Sequence, residues 1–263
     1  KKEDFGRVIE FNIKLSKLVA TSSTIDKEKK QRLMAHTAEV ILENTFVNGV
    51  DERAFSDAKD FLLTSMGLLT EDQQTFDLIS ILNSHSDHLY AHSLGVSMYS
   101  VMIAKHLNWN SSASLFKLSF GGLMHDIGKK EIDPEILEKS RALLSFKERQ
   151  VLESHPSRGK EILESLKSAP SEVVAIAYEH HEDCIGQGFP RQIAKNKIHP
   201  MSRIVSVANE FCNYALKGPH NPGVPAEKAI SLMEKFKKDS LDSEFYQALK
   251  GLVKQTSQGN KAS

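Results

Sequence analysis

Apolar residues recur along this chain at intervals of three and four, the period of amphipathic helices, and no convincing hairpin signal interrupts them. Residues 4 to about 69 carry three such patterns: Val8-Phe11-Leu15-Leu18, then Leu33-Val40-Ile41, then Phe55-Phe61-Leu62-Leu63-Met66. The connectors Thr21-Ser22-Ser23-Thr24 and Asn48-Gly49-Val50-Asp51 hold cap and turn residues, with Asp51 placed as an N-cap. This predicts a smaller helical domain over residues 1–74, regulatory or dimerising, that ends between Gly67 and Thr75. His36 stands alone there and is read as a solvated or core histidine.

From Thr75 the helices lengthen and histidines enter their apolar faces. Leu89, His92, Val96, Tyr99 and Ile103 form one stripe, so His92 faces the core, whereas His88 and His85 fall off it. After the turn Asn108-Trp109-Asn110, Ser111 caps a helix whose positions Leu115, Leu118 and Gly122 share a face with His125. That helix ends in His125-Asp126, with Gly128 expected in the left-handed position that terminates helices and Lys129 just beyond. A short helix over Pro134 to Lys139 comes next. Ser145-Phe146-Lys147-Glu148 has the spacing of a capping box, and the helix it opens breaks at His155-Pro156. A further helix behind Ala169-Pro170-Ser171 carries Val173, Ala177 and His180 on one face and Val174, Tyr178 and His181 on the next. Adjacent histidines about 100° apart on a helix reach two neighbouring ions more easily than one. The loop Gly186-Gln187-Gly188-Phe189-Pro190-Arg191 then suggests a shaped lip over a pocket. Helices from Pro200 to about Leu216, Ala226 to Lys238 and Asp242 to about Gln255 close the pattern, with a frayed tail from Thr256.

With 263 residues, 40% of them hydrophobic, the chain can bury one large core or two smaller ones. No run approaches the roughly 18 apolar residues that cross a bilayer. The opening Lys1-Lys2-Glu3-Asp4 lacks a signal-peptide pattern, and Cys184 and Cys212 agree with a reducing compartment, so the expected location is cytoplasmic with no membrane partner. Lysine plus arginine and aspartate plus glutamate each number 34, a formal net charge of zero, which argues against a nucleic-acid polymer as partner. An anionic substrate must therefore be held locally. A neutral imidazole beside an ionised carboxylate, as in His125-Asp126, suits zinc, manganese, iron or nickel, and an aspartate can bridge two ions.

Taken in order, His92-Ser93-x-x-Val96, His125-Asp126-Ile127-Gly128-Lys129, Lys139 with Phe146-x-Glu148, His155-Pro156-x-x-Gly159, His180-His181-Glu182, Gly186-Gln187-Gly188-Phe189-Pro190 and Arg203-Ile204 form a specific set. Over about Asp87 to Leu249 this set resembles the HD superfamily of metal-dependent phosphohydrolases, and within it the HD-GYP branch. The resemblance implies an all-α HD-domain bundle over residues 75–263 behind the smaller N-terminal domain. It implies two divalent transition-metal ions, iron first and manganese second, held by His92, His125, Asp126, His155, His180, His181 and Asn209, with Asp126 bridging. It implies that Lys129 touches the substrate phosphate, so that Asp126 and Lys129 carry the catalysis, with Gly188, Phe189, Pro190 and Arg191 binding substrate. The implied reaction is hydrolysis of cyclic di-GMP.

Five positions depart from the family pattern. Phe189 replaces the signature tyrosine, Ile185 and Cys212 replace acidic residues, Gly95 replaces an arginine, and Asn209 replaces a ligand aspartate. Three readings follow: a binuclear phosphodiesterase of cyclic dinucleotide signalling with weak or altered activity, a degenerate module that binds nucleotide or a protein signalling partner, and a phosphohydrolase of another phosphate ester. The oligomeric state is left open.

Overall fold

The structure is a computed structural model that describes residues 2–48, 51–70, 83 and 88–259. The expected domain boundary at residue 74, His85 and residues 260–263 lie outside the described residues. Helices α1 (Lys2–Thr21), α2 (Lys27–Asn48) and α3 (Glu52–Thr70) come first. They are followed by α4 (His88–His106), α5 (Ser112–Met124), α6 (Pro134–Leu137), α7 (Phe146–Leu152), α8 (His155–Glu164) and α9 (Ser171–Glu179). Then come α10 (Pro200–Ala215), α11 (Ala226–Phe236) and α12 (Ser243–Gly259). Short 3₁₀ turns occupy Ile127–Glu131, Arg141–Leu143 and Lys195–Lys197. Among the described residues there is no β-strand, only the isolated bridges Ile185 to Ala194 and Gly218 to Asn221. The all-α expectation holds, and α12 runs past Gln255 to Gly259, where fraying was expected.

Local chemistry explains the helix starts. Ser111 accepts from the Ser114 amide at the head of α5. At the head of α7 the Ser145 hydroxyl and the Glu148 carboxylate satisfy each other's backbone amides, the capping box that the spacing predicts. The expected apolar face of α1 is corrected. Val8, Phe11 and Leu18 are exposed, and the helix instead buries Ile9, Asn12, Ile13, Ser16 and Val19. Both stripes have helical spacing. The buried one tolerates its polar members because Ser16 and Thr37 hydrogen-bond across to each other at 3.0 Å.

Helix α4 is the axis of the remainder. It is buried on nearly every side, with Val96, Tyr99 and Ile103 at 1% exposure or less, and it packs on α2, α5, α10 and α12. The first three helices join the same hydrophobic cluster, α2 against α4 and α3 against α5, with Phe55 meeting Phe120 edge to face at 4.8 Å. Two adjacent glycines set how closely the ligand-bearing helices approach. A Cβ on Gly122 would lie 2.7 Å from the Ser97 Cα of α4, and one on Gly121 would lie 2.3 Å from the Ile176 side chain of α9. At Gly122 the obstacle is backbone, which cannot swing aside.

Gly122→Ala should therefore cost about 1–3 kcal/mol in denaturant unfolding, as overpacked cores do. Gly218→Ala, whose Cβ would meet nothing within 4 Å, is the control. Equal stability of the two variants would show that α4 and α5 are not in the close contact described.

Candidate metal centre

Four segments deliver the titratable groups to one place. His92 comes from the second turn of α4, and His125-Asp126 follow the last turn of α5. His155 opens α8, and His180-His181 follow α9. The chain between Asp126 and Glu131 folds as a 3₁₀ turn against α8, so close that a Cβ on Gly128 would lie 2.0 Å from the His155 carbonyl oxygen. That corrects the expected role of Gly128. It does not adopt the left-handed conformation, and its missing side chain is needed so that Asp126 and His155 can meet.

The donor atoms form two groups with one member in common. Asp126, His155, His180 and His181 lie within mutual reach of one ion, as do His92, His125 and Asp126. The two oxygens of Asp126 divide between them. Its Oδ2 is 3.2 Å from His125 Nε2, and its Oδ1 is 3.2 Å from His155 Nε2 and 3.6 Å from His180 Nε2. Asn209 stands beside the second group, with Oδ1 at 2.9 Å from His92 Nε2. Placing His180 and His181 in one group departs from the expectation that they serve different ions. The helix stops at Glu179, so the 100° helical spacing no longer separates them, and their rings lie 4.2 Å apart.

Hydrogen bonding settles which nitrogen of each ring faces inward. The Nδ1 atoms of His125, His155 and His180 lie 2.7, 2.7 and 3.0 Å from the carbonyl oxygens of Gly122, Leu152 and Ala177. Each Nδ1–H donates to that carbonyl, so each Nε2 of a neutral ring presents a lone pair to the centre. The Nε2 atoms of His155 and His180 then face each other at 3.2 Å with no proton between them. His125 Nε2 and Asp126 Oδ1 are buried without a hydrogen-bond partner. Converging lone pairs and an orphaned carboxylate oxygen, all nearly dry, are what a cation would satisfy, and the nitrogen and oxygen donor set fits first-row transition metals.

The protonation states agree. Burial pulls the imidazoles of His92 and His180 down to about 3 and lowers those of His155 and His181, so all four are neutral near pH 7. Burial also opposes the charge on Asp126, but the Lys129 ammonium beside it holds the carboxyl well below the usual range. Lys129 Nζ lies 2.5 Å from Asp126 Oδ2, as its place one turn on predicts, and is a neighbour of the donors.

Beside the second group opens a cleft of about 690 Å³, whose lining includes His92, Asp126, Lys129, Lys217 and His220. His88 also lines it, one turn from His92, without joining either donor group. The 188–191 lip lies over the first group. The Phe189 ring stacks on His181 at 4.5 Å, its amide donates to the His181 carbonyl, and the Phe189-Pro190 peptide is cis. A Cβ on Gly188 would lie 2.4 Å from that same carbonyl. The Arg191 guanidinium is ion-paired with the nearly buried Glu179 and lies over Tyr178.

Glu179 is the residue missed in the sequence. Together with the buried Glu182, it receives the amides of His199, Arg191 and Ile193 and staples the lip to the end of α9. A glutamate on each side of a histidine pair, followed by a glycine-rich loop, was the available signal.

Neutral buried histidines make metal-free protein acid-sensitive. Between pH 6.5 and about 3 an unfolded chain binds a proton at His180 that the folded state refuses. Stability present above pH 6.5 should thus fall as the pH drops through that window, by about 1.4 kcal/mol per unit from His180 alone, with His155 and His181 acting in the same direction. Denaturant unfolding of chelated protein at pH 7 and pH 5 checks this. Equal stability at both would contradict the buried neutral state.

The HD domain model matches residues 78–245 of the chain. The 3'3'-cGAMP-specific phosphodiesterase 3 of Vibrio cholerae is 32% identical over 171 residues, covering 65% of this chain and 36% of the relative. A cyclic di-GMP phosphodiesterase of Thermotoga maritima is 29% identical over 188 residues, covering 70% of this chain and 47% of the relative. The chain thus spans less than half the length of these two curated relatives. Among solved structures, an HDG"Y"P protein of Bdellovibrio bacteriovorus shares the fold, with a TM-score of 0.79 at 20% identity over 93% of this chain and 78% of its own. Among the described residues, no helix is long and apolar enough to cross a membrane. The chain belongs to the HD domain family.

Proposed function

We propose that this chain is a metal-dependent phosphodiesterase unit that hydrolyses a 3'3'-cyclic dinucleotide. One observation carries the reading: two donor groups share the single carboxylate of Asp126 beside an open cleft that also presents an ammonium. His155, His180, His181 and Asp126 would hold one divalent ion, and His92, His125, Asp126 and Asn209 the other, with iron the first choice and manganese the second. When bound, such a pair supplies Lewis acidity toward phosphate oxygens and lowers the pKa of water at the site. The names of the relatives support the substrate class, since they act on cyclic di-GMP or 3'3'-cGAMP.

The chain's own residues then have distinct tasks. Lys129, about a quarter exposed and lining the cleft beside Asp126, attracts the phosphate. The nearly dry imidazoles stay neutral and keep competing protons off the donor atoms. Phe189 gives an apolar face on which a base can stack but has no hydroxyl to orient it. Asn209 offers an amide oxygen without charge, so the second position binds its ion less tightly than an aspartate would.

Weak turnover of cyclic di-GMP is therefore expected, with the Asn209→Asp and Phe189→Tyr double variant faster by about tenfold, or about 1.4 kcal/mol in barrier. Steady-state assays with iron and with manganese, on cyclic di-GMP and on 3'3'-cGAMP, test this. Absence of hydrolysis of either by wild type and double variant alike would overturn the reading. Lys129→Ala should retain the metals and lose about tenfold or more in kcat/KM. Loss of the metals in that variant would mean that Lys129 supports the centre and does not serve the substrate.

A further inference from the structure

One guanidinium beside the Phe189 lip has no role assigned so far. Arg141, in the 3₁₀ turn between α6 and α7, lies 5.8 Å above the centroid of the Phe189 ring. The other face of the Phe189 environment is His181, on which the ring stacks. Glu210, the neighbour of Asn209, is close enough to feel the Arg141 charge. Arg141 thus stands beside the Phe189 lip, with 57% of its side chain exposed.

The cations around the centre differ in how firmly they are held. Lys129 is tied to the buried Asp126, Arg191 to the nearly buried Glu179, and Arg203 to the buried Asp242. Arg141 pairs with Glu153 at 2.5 Å, but its own side chain is 57% exposed and that of Glu153 29%. Water largely screens such a pair, so an incoming anion can take its place at little cost. Glu210 would oppose an anion there, but it faces Lys237 at 3.5 Å as well. Released from Glu153, the Arg141 guanidinium can give a phosphate two parallel N–H bonds while staying beside the Phe189 ring.

We propose that Arg141, seated on Phe189, grips the phosphate of a cyclic dinucleotide that is not being cleaved. The inference rests on the proposed function. The two phosphates of such a substrate lie on opposite sides of one macrocycle, so with one at Asp126 the other would lie outside the donor groups, on the side that the Phe189 lip and Arg141 bound. Arg141 is the weakly held guanidinium found there among the described residues, and it offers the bidentate contact that Phe189, with no hydroxyl, cannot.

The test compares Arg141→Ala and Arg141→Lys with wild type in the metal-loaded protein. Two substrates are used: cyclic di-GMP, with two phosphates, and bis-p-nitrophenyl phosphate, with one. Arg141→Ala should raise KM for cyclic di-GMP about tenfold with kcat within about twofold, and leave KM for the single-phosphate ester and the metal content unchanged. Arg141→Lys should recover part of the loss, a point charge replacing a fork. An unchanged KM for cyclic di-GMP, or an equal rise for both esters, overturns the proposal while the functional reading stands. A wild type that hydrolyses the single-phosphate ester but neither hydrolyses nor binds cyclic di-GMP, by titration of a fluorescent derivative, overturns both.

Discussion

A carboxylate at 2% exposure, Asp126, is the element on which this structure depends. Burying an ion costs several kcal/mol unless partners compensate, and here His125 and Lys129 come from its own segment, His155 from α8 and His180 from the end of α9. Each must approach within hydrogen-bond range of one side chain, so the backbones that carry them must nearly touch. That explains the bare Gly122 against α4 and the bare Gly128 against α8. The backbone carbonyls of Gly122, Leu152 and Ala177 then fix the rings, so the donor atoms are aligned by the ends of helices and not by loose loops.

The parts of this arrangement that were legible in the sequence are those where local chemistry is unambiguous. A histidine on an apolar stripe, a histidine before proline and a capping box all have one reading, and they located His92, His155 and the start of α7. The ordered motif set carried the family and the all-α fold. Other features depend on partners distant in sequence. Two equally periodic stripes on α1 could not be ranked without Thr37, which satisfies Ser16. Gly128 read as a helix terminator because its neighbour across space, the His155 carbonyl, is not its neighbour in sequence. The ion pair of Arg191 with Glu179 could not be foreseen because Glu179 carries no mark of burial in the sequence.

The departures from the family pattern fall on the periphery of the centre and spare its middle. His125, Asp126, His155, His180 and His181 converge with buried, inward-facing donors, whereas Asn209 and Phe189 lie at its edges. A centre altered at the edge keeps the means to hold metal and changes how substrate is oriented and how strongly one ion is held. On the proposed function, substrate choice would then involve residues outside the donor groups, such as Arg141 beside the Phe189 ring and His220 in the cleft lining.

The central claim is that two ions share Asp126. The most direct measurement is elemental analysis of protein purified anaerobically, wild type against Asp126→Asn, with far-ultraviolet circular dichroism to confirm that both are folded. The account predicts two transition-metal ions per wild-type chain and a loss of most metal in Asp126→Asn with helical content retained. At most one ion in the wild type, or the full complement in Asp126→Asn, would contradict it.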